Sequence, residues 1–145
     1  SGLRPLRDTN VELIPPILNP AFGEITATGA TMRNGYVFRL FLPDAGGVGL
    51  AETDSNVALI DPRFSAEFFT CVAWPNAYGR SGQRTFFLCQ TGTIMTTIDV
   101  RYSGEASGPA ANAAMTGVTD GRIDTHELAS GVVVGVDGNR WQEVQ

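Results

Sequence analysis

Apolar and polar positions alternate most clearly in "GYVFRLFLP", residues 35–43. Tyr36, Phe38, Leu40 and Leu42 fall on one side, and Val37, Arg39 and Phe41 on the other, the period of a strand. Asn34-Gly35 immediately before it is a hairpin turn signal. Residues 24–34 therefore read as another strand or as an irregular loop. Residues 68–74 and 84–90 are two further strand-like runs, joined by residues 75–83. Thr91-Gly92 turns the chain into "TIMTTIDVRY", residues 93–102, a third β-prone run. These three runs predict a three-stranded antiparallel meander.

Elsewhere the pattern is weaker. Val11, Leu13, Ile14, Ile17 and Leu18 have roughly helical spacing, but Pro15-Pro16 interrupts them, because proline lacks the amide donor and clashes with the preceding turn. Residues 1–20 are read as a leading segment with at most short helical turns. Residues 44–63 form a long Gly/Asp/Asn/Ala connection, and a connection of that length usually covers something or serves function. Its Gly46-Gly47-Val48-Gly49 is not a phosphate loop, since GxGxxG fails and no lysine follows. Residues 103–114 read as a loop or a short alanine-rich helix, and Val132–Val134 as a final short strand.

Composition sets the scale. One domain spanning 1–145 accommodates the 145 residues, and a 43% hydrophobic content is enough for a core. Seventeen glycines and eight prolines favour short strands and many turns. The net charge is -5, and all ten basic residues are scattered arginines. With no concentrated basic patch, nucleic-acid binding is not expected. The lack of lysine removes Schiff-base chemistry and lysine isopeptide cross-links. No apolar run reaches the roughly 20 residues needed to span a bilayer.

Candidate chemistry is sparse. Gly79-Arg80-Ser81-Gly82-Gln83 departs from the GxSxG elbow at its last position and lies between two strands. The single histidine, His126, has no sequence relation to Ser81. Ser81-Gly82 is read as turn chemistry, no catalytic residue is assigned, and the chain is not expected to be an enzyme.

The chain has two cysteines, Cys71 and Cys89. If the flanking strands pair so that opposing numbers sum to 160, Cys71 faces Cys89 at a separation a disulfide can span. A slip of one residue puts them on opposite faces, as two buried, inert thiols. The residues leave both readings open. Two cysteines alone do not make a zinc site.

"TGVTDGRIDTHEL", residues 116–128, has a partial match to a calcium loop. Asp120, Gly121, Asp124 and Glu127 occupy loop positions five, six, nine and twelve. Positions one and three, which call for oxygen ligands, hold Thr116 and Val118. Asp120, Asp124 and Glu127 are thus a weak candidate calcium set. The alternative is a polar turn followed by a short helix capped by Asp124, with Glu127 completing a capping box.

The central segment resembles a bacterial family of pilin-like proteins of planctomycete type, related to the pseudopilins of type II secretion. Ala73, Pro75, Tyr78, Gly79, Ser81, Gly82, Thr85, Phe86, Gln90 and Gly92 carry the resemblance. "NGYVFRLFLP" upstream and "DGNRW" at residues 137–141 resemble flanking elements of that family. Two features depart from it. Cys89 stands where the family tends to have asparagine, and the hydrophobic N-terminal helix is absent from these 145 residues. The resemblance implies an α+β, mostly antiparallel β, pilin-like head with few short helices. It also implies an extracytoplasmic location in the periplasm, envelope or cell surface, where an oxidising environment favours a Cys71–Cys89 disulfide. Calcium binding in a C-terminal loop of major pseudopilins adds weight to Asp120, Asp124 and Glu127.

The resulting expectation is a non-enzymatic structural or interaction subunit of a filament or secretion apparatus. It would self-assemble or bind protein partners, and would meet a membrane only through the missing helix. The 44–63 loop and the hairpin tip would supply surface chemistry, with Tyr78, Arg80 and Arg84 as partner contacts. A soluble extracytoplasmic ligand-binding module, calcium-dependent and directed at cell-surface glycans, is the main rival. A hydrolase using Ser81 or the carboxylates is the third reading.

Overall fold

The computed structural model describes residues 25–144. The expected helical turns at Val11–Leu18 lie outside those residues. The described chain is organised around one seven-stranded antiparallel sheet. Its strands are β1 (Ala30–Arg33), β2 (Tyr36–Pro43), β3 (Gly49–Ala51), β4 (Thr70–Pro75), β5 (Arg84–Cys89), β6 (Ile94–Ile98) and β7 (Gln142–Glu143). The order across the sheet is β1-β2-β4-β5-β6-β7, and β3 also pairs with β2. β1 takes the first half of one edge of β2, and β3 the second half.

Local chemistry explains the tight turns. Arg33 pairs with Tyr36, which leaves Asn34 and Gly35 as a two-residue turn. Both have positive φ, 54° and 82°, the conformation that this turn requires and Asn-Gly tolerates. Gly92 turns β5 into β6 with φ of 82°.

The α+β expectation is corrected. Among the described residues, helix is limited to two four-residue turns, α1 (Asp54–Val57) and α2 (Pro62–Ser65). Asp61 caps α2 by accepting from the backbone N–H of Arg63 (2.8 Å) and Phe64 (3.0 Å), with Pro62 at the first helical position. Neither helix buries a residue, so neither contributes a core layer. The alanine-rich 103–114 stretch is a series of turns, not a helix, because glycine and proline at 104, 108 and 109 interrupt it. The expected pilin-like head with a three-stranded meander is likewise replaced. β4, β5 and β6 do lie side by side, but as the middle of a wider, mostly antiparallel β-sheet.

Two local readings also change. Residues 44–63 are not one surface loop: they contain β3 and both helical turns. Val48 pairs with Arg122, the Gly49 N–H donates to the Gly121 carbonyl, and the Ile123 N–H donates to the Gly47 carbonyl. Val132–Val134 is not a strand; all three valines are exposed, and the last strand is β7.

The sheet has two unlike faces. On the first, Val37, Phe41, Val72, Trp74, Phe87, Cys89 and Met95 form one core cluster with Tyr102, Ala111, Ala113, Ala114, Met115, Ile123, Ala129 and Trp141. The cover on this face thus comes from residues 102–141, which contain no helix and no strand of the sheet. Trp141 packs edge-on against Phe87 with centroids 6.0 Å apart. The second face carries Tyr36, Phe38, Leu40 and Leu42 of β2, Cys71 and Ala73 of β4, and Phe86 and Leu88 of β5, as the register requires. It is buried at the Leu40–Leu42–Cys71 corner, where Phe38, Ile60 and Phe69 pack.

Candidate functional site

The irregular cover on the first face is held by a polar network centred on Asp137. Its Oδ2 accepts from the Tyr102 hydroxyl (2.6 Å), and its Oδ1 accepts from Trp141 Nε1 (3.0 Å) and the Asn139 backbone N–H (2.9 Å). Asn139 Nδ2 reaches on to Asp99 (2.7 Å), which is ion-paired with Arg101 at 2.5 Å. The hydrogen bond from the Arg101 guanidinium outweighs the opposing effect of burial and, with Asn139 adding to it, holds the Asp99 carboxyl down at about 2. Burial pushes the Tyr102 hydroxyl well above its ordinary value, and the Asp137 carboxylate adds to this. So "DGNRW" at 137–141 ties the last layer to the sheet, and these carboxylates are fully engaged in structure. On the same face, Trp74 Nε1 donates to the Gly104 carbonyl (2.6 Å), and the Arg39 guanidinium lies 5.2 Å from the Trp74 ring.

The Cys71–Cys89 disulfide is a correction. β4 and β5 pair Cys71 with Leu88 and Thr70 with Cys89, so opposing numbers sum to 159 and not 160. That single step sends Cys89 to the first face and Cys71 to the second. Both are free, buried thiols. Burial, with the Glu52 carboxylate adding to it, pushes the Cys71 thiol up to about 12.

The hairpin tip places its three named residues unequally. Arg80 and Arg84 are exposed, whereas Tyr78 is half-buried and its backbone N–H donates to Ser103 Oγ (2.9 Å). Ser81 Oγ accepts from the Ala77 N–H (3.1 Å) and lies 3.2 Å from the Ala77 carbonyl, to which it donates. His126 sits at the opposite end of β5, stacked on Phe68 with centroids 5.1 Å apart. A six-residue strand separates the two, about 20 Å of chain, so Ser81 and His126 form no catalytic pair.

Gln90 fixes the histidine. Its Oε1 accepts from the Phe69 N–H (3.2 Å), and its Nε2 donates to the Thr125 carbonyl (2.7 Å) and lies 2.9 Å from His126 Nδ1. The opposite amide orientation would face donor to donor and acceptor to acceptor, so His126 Nδ1 is the acceptor in this contact.

The calcium set is not brought together. Asp124 is ion-paired with Arg122 at 2.6 Å, and that guanidinium holds its carboxyl below the usual carboxylate range. Asp120 sits in a turn with φ of 56°, and Asp120 and Glu127 are exposed. No helix forms for Asp124 and Glu127 to cap. Among the described residues, no three His, Cys, Asp or Glu side chains cluster as a metal site.

What remains open is the second face. Phe86 and Leu88 are half-buried, and Ile94 is 44% exposed. With Tyr36, Phe38, Cys71 and Ala73 they line an apolar groove of about 480 Å³. A second cavity, about 800 Å³, lies beside Leu42 and Ile60 and includes Glu52. Glu52 Oε1 is buried without a hydrogen-bond partner, and burial raises the carboxyl above its ordinary value. The sequence offered no signal for Glu52, because an isolated glutamate after a three-residue strand has no motif. The groove was legible only as the apolar side of each strand, not as an open surface.

Neither protein-family models, nor curated proteins, nor solved structures yield a match to this chain.

Proposed function

We propose that this chain is a non-enzymatic interaction subunit whose exposed apolar sheet face packs against another subunit of the same assembly. The observation that carries this reading is the half-open row of Phe86, Leu88 and Ile94 beside the 480 Å³ groove. A contiguous apolar patch on a sheet face is expensive to leave in water and is a common mark of a protein contact. Aromatic residues supply much of the binding energy at such contacts. The exposed Arg80 and Arg84 at the hairpin tip would lie at the rim of this interface.

The assembly proposed is an extracytoplasmic filament or secretion apparatus of the pseudopilin kind. The support for that part is the residue pattern from Ala73 to Gly92 and "DGNRW".

Site-specific photo-crosslinking tests it. A photoreactive residue at Leu88 in the full-length protein, expressed in its native host, should give discrete higher-mass adducts. The same residue at Val132, exposed and away from the sheet, should give none. Adducts at neither position, or equally at both, would reject the apolar face as the contact. Fractionation of the same cells tests location: recovery in the cytosol would reject the extracytoplasmic assignment.

A further inference from the structure

The cavity beside Glu52 has a composition of its own. Leu42, Val57, Ile60 and Pro62 give it apolar walls, and Glu52 and Asp54 are its only acidic lining residues among those described. β3 pairs Leu50 with Leu42 and Ala51 with Phe41, so Glu52 follows on the second face, the side that carries Leu42 and Cys71. One carboxylate oxygen, Oε1, is shut off from solvent and has no hydrogen-bond partner. The ion pairs among the described residues are Arg101–Asp99 and Arg122–Asp124, so Glu52 has no cationic partner there.

A half-buried carboxylate without a counter-ion is costly, and charges in such places are normally paired. The lining also narrows what could pair with it. A calcium or magnesium ion needs six or more oxygen ligands; the lining has two carboxylates and the hydroxyls of Thr26, Thr53 and Ser55, which are engaged in hydrogen bonds of their own, and the remaining walls are apolar. A compact cation on a hydrocarbon stem fits both parts: the stem covers the apolar wall, and the head meets the carboxylate. Burial has already raised the carboxyl of Glu52, which is the expected state of such a group before its counter-ion arrives.

We propose that this cavity binds an organic cation, a guanidinium or primary ammonium on an apolar stem, with Glu52 as its counter-ion and Asp54 at the rim. A free amine and an arginine or lysine side chain of a partner protein share this chemistry. The site is independent of the subunit contact proposed for the groove, and either can fail alone.

Titration calorimetry on the full chain with agmatine, a guanidinium on a four-carbon stem, tests the site. N-acetyl-arginine methylamide forms the second arm and stands for a protein side chain. Saturable binding of one or both is expected at up to millimolar concentration, and the tighter arm identifies the source. Glu52→Gln should weaken binding at least tenfold while the protein stays folded, since the substitution keeps the shape of a group whose neutral form burial already favours. Asp54→Asn should weaken it only a few-fold. Binding to the wild type should also fall as the pH is lowered through the raised Glu52 value, and Glu52→Gln should abolish that dependence. The absence of binding in both arms, or equal affinity in Glu52→Gln, would overturn the proposal. So would saturable binding of calcium that competes with agmatine.

Discussion

The two faces of the sheet are both apolar, yet they are treated differently. The first is sealed by an irregular layer, residues 102–141, with Trp141 and Met115 fully buried. Among the described residues the second is sealed at one corner and half-open along Phe86, Leu88 and Ile94. Regular secondary structure is therefore not what closes a face. The irregular layer is held by a polar scaffold centred on Asp137, which takes up the Tyr102 hydroxyl, the Trp141 N–H and the Asn139 N–H, although the buried Asn112 Nδ2 has no partner. The second face has no comparable polar scaffold among the described residues, and apolar side chains alone do not hold a loop in place.

The comparison can be broken most severely at Trp141. Trp141→Ala should cost about 3–5 kcal/mol in urea denaturation, because it opens a large hole between Phe87 and the cover. Asp137→Ala should cost about 2 kcal/mol, by leaving the Tyr102 hydroxyl and the Trp141 N–H without an acceptor. If Asp137→Ala is neutral, the polar scaffold is not what secures the first face. Phe86→Ala on the half-open face should cost about 1 kcal/mol or less, and the protein should stay folded while losing its crosslinked partner.

Acid gives a smaller, graded effect on the first face. The carboxyl of Asp99 is depressed to about 2 when folded, against about 3.9 in an unfolded chain. Its contribution is present above about pH 4 and is lost as the pH falls through about 2. Asp99→Asn should flatten that part of the stability–pH curve. The smallest expected change is none at all: melting temperatures with and without reductant should agree, since both thiols are free. A drop on reduction would restore the cross-strand disulfide and refute the observed register.

Strand positions were legible where alternation was strong. "GYVFRLFLP" became Tyr36–Pro43, and Asn34-Gly35 became its turn, because side-chain period and turn chemistry are local properties. The register of β4 and β5 was not legible. It depends on how the tip folds, with Gly79 N–H bonded to the Gly82 carbonyl and Ser81 N–H to the Ala77 carbonyl. One residue in that tip decides which face each cysteine joins. The α+β expectation came from the resemblance and not from the helical signal of the residues: 103–114, read as a loop or a short helix, forms turns because Gly104, Gly108 and Pro109 interrupt it. Of the site, the tip residues Tyr78, Arg80 and Arg84 were visible by type. Glu52 was not, because its significance lies in having no cationic partner among the described residues.

The opposed cysteines have a practical consequence. One sheet carries a single thiol on each side, and each is shut in by a different layer. Alkylation of Cys89 therefore times the lifting of the irregular cover, and alkylation of Cys71 times the opening of the corner beneath Phe38 and Ile60. A single chain thus holds two independent clocks for local opening. Comparing their rates with and without an assembled partner would show which layer that partner steadies, without any amino-acid substitution.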